Sequence, residues 1–385
     1  MFSHMNLRHM HTWLCVCTLP AVQAASFTIT YTGMPAPAQA AFEHAADIWA
    51  GILVSDVPIK VQAIWFPMGG ATLGITFPNA RRDFAGAPLA ATWYATSLAN
   101  SIAGVELNPG EEDINIYFDS GSNWYLDLTG TPAPGQYDFV SVALHELGHG
   151  LGFVGVAKKD GSIGSFGLLQ QSDFAPLVTS FPWPQLDTLP GIFDRFLSHQ
   201  LDGPLIMMPN PGTQLGSSFT SNNIYFNGAN AMAANGGNAP RIYAPSTFAL
   251  GSSCVHLNES TYPPGNPNEL MTPFISPAIV NHWPGPLCLA MLLDIGWLIA
   301  PDAGIGDGVT LSYFTLYPNP ASDLIQLVSG ERIENGSLFV LDVSGRVVMH
   351  TGDQHQLDIS SLEAGQYNII RHDGEKRSRA HFVKQ

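Results

Sequence analysis

Residues 145–149 read His-Glu-Leu-Gly-His, inside the run FVSVALHELGHGLGF. No other segment constrains the chain as tightly. On an α-helix, positions i and i+4 lie on one face, so His145 and His149 can offer two imidazole nitrogens to one metal ion. Glu146 lies about 100° around the helix from His145, beside that ion and free to take a proton from an attacking water. Two neutral nitrogen donors with a non-ligating carboxylate suit a hydrolytic zinc site. A five-residue pattern also arises by chance, but the context argues for a helix here. Val140, Ala143, Leu144 and Leu147 form an apolar face, and Asp138 is a candidate N-cap. Gly148, Gly150 and Gly152 then crowd the end, where the helix has to stop and turn.

A catalytic zinc takes three protein ligands and keeps one position open. The common extended form of this motif places a third histidine ten residues after His145, and that position is Gly155 here. On residue chemistry alone His199, His256, His282, Glu259 and Glu269 remain candidates. His256 lies two residues from Cys254, which a bridge could hold in place.

The pattern along the chain predicts an α+β fold. SFTITYTG opens with an alternating strand. A helix runs from Pro35 and Pro37 to about Val54, with Phe42, Ala45, Trp49 and Ile52 on its core face and His44 off it, facing solvent. Strands follow at 58–67 and 114–120, with a helix between them at 89–102, so the sheet is mixed and layered with helices. Residues 154–253 carry few strong patterns beyond a short helix at 193–201. The Gly-, Asn- and Pro-rich run 209–240 reads as the lid or wall of a cleft, since connections this long are usually functional. The run APDAGIGDG (300–308) reads as a linker. Short strands with turn signals after it predict a small all-β, immunoglobulin-like sandwich.

Charge divides along the same boundary. Residues 25–307 hold seven Lys/Arg against twenty-two Asp/Glu, while residues from 308 onward hold seven against nine. A formal net charge of -16 disfavours nucleic acid and anionic membranes as partners. Glu111, Glu112, Asp113 and Asp119 raise the question of calcium, but their spacing fits no known loop, so a solvated acidic turn is the reading.

The first 24 residues have the form of a secretory signal: Arg8, an apolar stretch from Trp13 to Val22, and Val22-Gln23-Ala24 at the cleavage positions. No later stretch has the length and apolarity of a transmembrane helix. Export removes Cys15 and Cys17 and leaves Cys254 and Cys288, which in an oxidising compartment predicts a disulfide between them.

HELGHGLGF (145–153), a long insertion, and then SSCVHLNESTYPPGNPNELMTP (252–273) resemble the leishmanolysin group of metzincin metallopeptidases. LAMLLDIGW (289–297) resembles that group's closing helix. The resemblance covers roughly residues 110–297. It implies His145, His149 and His256 as zinc ligands, Met271 as the Met-turn residue, and a zinc endopeptidase with a two-lobed body. The abundant disulfides of the group have no counterpart here beyond the single cysteine pair. YPNPASD (317–323), LDVSGRVV (341–348) and LDISSLEAGQYNI (357–369) resemble the type A sorting domain of the type IX secretion system, which implies export by the outer-membrane machinery of a Bacteroidetes-type bacterium. An adhesion or carbohydrate-binding module is the alternative for this part.

Together these readings divide the chain into a signal (1–24), a zinc metallopeptidase domain (25–303, with an insertion at about 154–253) and a sorting domain (304–385). The expected protein is a secreted endopeptidase acting on protein or peptide substrates, with Glu146 as general base. Two rivals stand beside it. One is an inactive surface-binding protein with the same shape, against which the intact Glu146 argues. The other is a zinc hydrolase of a non-peptide substrate.

Overall fold

The computed structural model describes residues 24–177, 187–299, 315–328, 336–342, 347–372 and 377–385. The expected signal up to residue 23 and the linker at 300–308 lie outside the described residues. In its first half the chain builds β1 (Phe27–Thr32), α1 (Ala36–Ala50), β2 (Ile59–Phe66), β3 (Gly74–Pro78), α2 (Thr96–Ala103), β4 (Ile114–Asp119) and α3 (Phe139–Gly150). The four strands form one sheet in the order β1-β2-β4-β3. β1, β2 and β4 run parallel, and β3 returns antiparallel along the edge. Parallel neighbours need a crossover, and α1 supplies it between β1 and β2. β4 is buried at every position, as a central strand covered by helices should be.

Helix α3 packs on α1 and on the sheet. Phe118 of β4 lies between Phe42 of α1 and Phe139 of α3, with ring centroids 5.8 and 4.8 Å away. Trp49 Nε1 donates to the Leu144 carbonyl at 3.0 Å, tying α1 to the turn just before His145. Asp138 caps α3, as its position predicts: its Oδ2 accepts from the Ser141 amide at 2.8 Å and from the Ser141 hydroxyl at 2.7 Å. Gly150 is small because Ile114 is there; a Cβ would lie 2.5 Å from the Ile114 Cγ2.

The insertion has structure of its own. Ala157–Asp160 and Ile163–Phe166 form a hairpin. Gly203–Pro204, Leu197–His199, Ile224–Phe226 and Arg241–Ile242 form a four-stranded antiparallel sheet in that order. The helix expected at 193–201 is a 3-10 turn at Phe193–Phe196 followed by a strand; Phe193 and Leu197 are buried by this sheet's packing, which outweighs local helical preference. The helix Gly285–Ile295 closes the domain, and Leu298–Ile299 pairs with Leu53–Val54.

Beyond residue 314 lie two small antiparallel sheets. One joins Thr315–Tyr317, Leu324–Val328 and Gln356–Asp358; the other joins Val347–Gly352, Ser337–Asp342, Gly365–His372 and Arg377–Lys384. They enclose a separate core that includes Ile325, Leu338, Val340, Leu357, Ile369 and Phe382. Among the described residues no helix is long and apolar enough to cross a membrane.

Candidate metal centre and export signal

His145 and His149 project from one face of α3, and His256 reaches them from the far end of the insertion. Their Nε2 atoms form a triangle with sides of 3.1, 3.1 and 3.3 Å. Each Nδ1 faces a backbone carbonyl: His145 that of Leu270 at 2.6 Å, His149 that of Phe153 at 2.6 Å, and His256 that of Ser252 at 2.9 Å. A carbonyl only accepts, so each Nδ1 carries the ring proton and each Nε2 turns a lone pair inward. Burial lowers the His145 and His149 pKa values and brings that of His256 down to about 3, so the three imidazoles are neutral. Three converging lone pairs repel unless a cation lies among them. A tetrahedral ion bound at the usual Zn–N distance would separate its nitrogens by about 3.3 Å, close to the spacing here. The donor set therefore fits one divalent ion, and among the described residues no other group of His, Cys, Asp or Glu is gathered in this way.

The turn after α3 builds one of these contacts. Gly152 adopts φ +110°, a conformation that L side chains avoid. The chain thereby doubles back, and the Phe153 carbonyl meets the His149 ring. His256 is held by the insertion sheet: its carbonyl accepts from the Tyr243 amide at 2.8 Å, and Leu257 bridges to Ile242. Cys254, in the left-handed region at φ 69°, makes the kink before it. Met271 is fully buried beneath α3. A Cβ on Gly148 would come 2.9 Å from the Met271 sulfur, so glycine at 148 lets the methionine approach the helix between the two histidines.

Glu146 is 5% exposed and takes no part in the triangle. Its Oε2 accepts from the Thr76 hydroxyl at 2.6 Å. Burial pushes its carboxyl up to about 7, and the Thr76 bond opposes that shift. A cleft of about 540 Å³ opens over these groups, bounded by Gly74 and Thr76 of β3, by Phe274, and by Leu250 and Ser252 at the end of the insertion. The ends of the insertion, around residues 154–157 and 250–253, line one side, whereas the run 209–240, expected as a lid or wall, does not line the cleft.

The other candidate ligands lie elsewhere. His199 pairs with Asp202 at 2.7 Å, and His282 meets the buried Asp138 carboxylate at 2.7 Å. Glu259 and Glu269 are half-buried apart from the triangle, and the Glu269 carboxylate accepts from the Gly265 amide. His44 is half-buried against His282, centroids 6.3 Å apart, and not simply solvated. Nor is the acidic group a solvated turn throughout. Asp113 and Asp119 are 1% and 5% exposed and accept from the Lys60 and Met68 amides, both at 2.9 Å. They stitch loops to strand ends, and of the four only Glu111 is exposed, Glu112 being half-buried.

The expected disulfide is absent. Cys254 and Cys288 are both free and buried. Each fills core space as a small apolar side chain, Cys288 on the inner face of the closing helix. Burial raises both thiol pKa values, which suppresses the reactive thiolate. Counting cysteines in an exported chain fixes how many partners exist, not where their side chains point.

Comparison with known families gives one assignment. Residues 315–385 match the secretion system C-terminal sorting domain. The chain is therefore an exported protein that engages the type IX secretion machinery and reaches the cell surface or medium, as is typical of Bacteroidetes. No curated protein and no solved structure matches the chain. Deleting residues 315–385 should hold the protein inside the cell envelope, with little reaching surface or medium; fractionation and immunoblotting of expressing cells check this, and normal export of the truncation contradicts it. Alkylation of the denatured, unreduced protein should label Cys254 and Cys288 nearly completely in peptide mapping, whereas a linked Cys254–Cys288 peptide would restore the disulfide.

Proposed function

We propose that residues 25–303 are a zinc-dependent endopeptidase similar to the leishmanolysin group of metzincins, delivered outside the cell by the sorting domain. The observation that carries this reading is the inward triangle of three neutral imidazoles beside a buried carboxylate that ligates nothing. A purely structural metal site has no need of that carboxylate. The long insertion before the third histidine, and Met271 beneath the helix, are consistent with the same group.

When bound, zinc supplies Lewis-acid polarisation and makes water a stronger acid. The protein residues do the rest. His145, His149 and His256 hold the ion, each oriented by its carbonyl partner. Glu146 accepts a proton from the attacking water and returns it to the leaving nitrogen. β3 is an edge strand of the sheet and bounds the cleft, a position suited to an extended peptide laid alongside it.

Against an unbiased peptide library, the zinc-loaded protein should cleave peptide bonds, and Glu146→Ala should lower turnover by about 10²–10⁴-fold while keeping its zinc. Wild-type turnover in a metal-loaded Glu146→Ala protein would remove Glu146 from this role. No cleavage by the wild type would point instead to a non-peptide substrate or to a binding protein. In metal analysis, His256→Ala should lose most of its zinc, and His199→Ala and His282→Ala should retain it. Full occupancy in His256→Ala would move the third ligand elsewhere.

A further inference from the structure

We infer that Thr76, on the edge strand β3, is the positioning residue for Glu146, and that Gly74 is the backbone surface against which the carboxylate is laid. This rests on the peptidase reading above and adds to it how the base is aimed.

β3 pairs with β4 on one side, with Thr76 opposite Ile116 and Gly74 opposite Phe118; on its other side it has no strand partner among the described residues. Residues two apart on a strand share a face, so Gly74 and Thr76 both look toward α3. The Thr76 hydroxyl lies 2.6 Å from Glu146 Oε2 and 3.0 Å from the Glu146 carbonyl oxygen. It has one proton to give, and the shorter contact has the length of a hydroxyl donating to a carboxylate. The other oxygen is fixed by shape. A Cβ on Gly74 would lie 2.6 Å from Glu146 Oε1 and 2.8 Å from both Cδ and Cγ. The carboxylate therefore lies flat on bare backbone, gripped at Oε2 by a hydroxyl and hemmed at Oε1 by Gly74.

The choice of threonine strengthens this. Its branched Cβ restricts χ1, so the hydroxyl is aimed before it bonds. A glutamate side chain has three rotatable bonds, and a base displaced by about 1 Å loses on the order of 10²-fold in rate. Because β3 also bounds the cleft, the strand that meets substrate is the strand that sets the base.

Thr76→Val keeps the shape and removes the proton. It should lower kcat by about 10–100-fold with KM within about threefold and zinc content unchanged; Thr76→Ser should recover most of the loss. Gly74→Ala, whose methyl would strike the carboxylate, should likewise lower kcat with zinc retained. A second readout needs neither metal nor turnover. In the metal-free protein Thr76→Val should lower the melting temperature clearly more in the wild-type background than in Glu146→Ala, where the carboxylate acceptor is gone and only the residue 146 carbonyl remains. A kcat for Thr76→Val within twofold of wild type, or an equal fall in melting temperature in both backgrounds, would overturn the inference. If the wild-type protein cleaves no peptide, the peptidase reading fails by itself, and the melting cycle still decides whether Thr76 holds Glu146.

Discussion

Three lone pairs that point at one another are the constraint on which the larger, N-terminal part of this protein depends. Each imidazole is neutral and fixed by a carbonyl behind it, His149 and His256 buried and His145 half-buried. The carbonyls come from Leu270, Phe153 and Ser252, three segments that meet only because the chain folds back around α3. Gly152 turns the chain after the helix, the insertion sheet brings in His256, and the turn ending at Met271 carries the Leu270 carbonyl under His145. The site is thus assembled by backbone geometry, and the side chains inherit their aim from it.

The same logic explains the glycines around α3. At Gly148 and Gly150 a Cβ would strike Met271 and Ile114. Glycine costs helix stability, so two glycines in the last three residues of α3 make a poor helix end on propensity alone. Packing supplies the compensation, with Trp49 and Trp297 donating to the Leu144 and Leu151 carbonyls at 3.0 and 2.6 Å.

Much of this was legible in the sequence because it is local. The helical spacing of His145 and His149, the cap at Asp138 and the strands β1, β2 and β4 all follow from short-range pattern. His256 was one of five candidates on residue chemistry, favoured there by a cysteine bridge that the structure does not form and singled out by the resemblance; in space it alone of the five completes the triangle. What the sequence hid is long-range. The contacts of Thr76 with Glu146 and of His282 with Asp138 join residues 70 and 144 positions apart, and no periodicity encodes them. The insertion sheet uses strands of two or three residues, too short for an alternating pattern to register. The two cysteines misled for a related reason: composition gave a pair, and the fold pointed each thiol into the core.

X-ray absorption at the zinc edge, on the protein loaded with one equivalent of zinc, addresses the central claim most directly. The account expects a four-coordinate shell with three imidazole nitrogens at about 2.0–2.1 Å and one oxygen. A six-coordinate shell of oxygens, or failure to take up the metal, would contradict it.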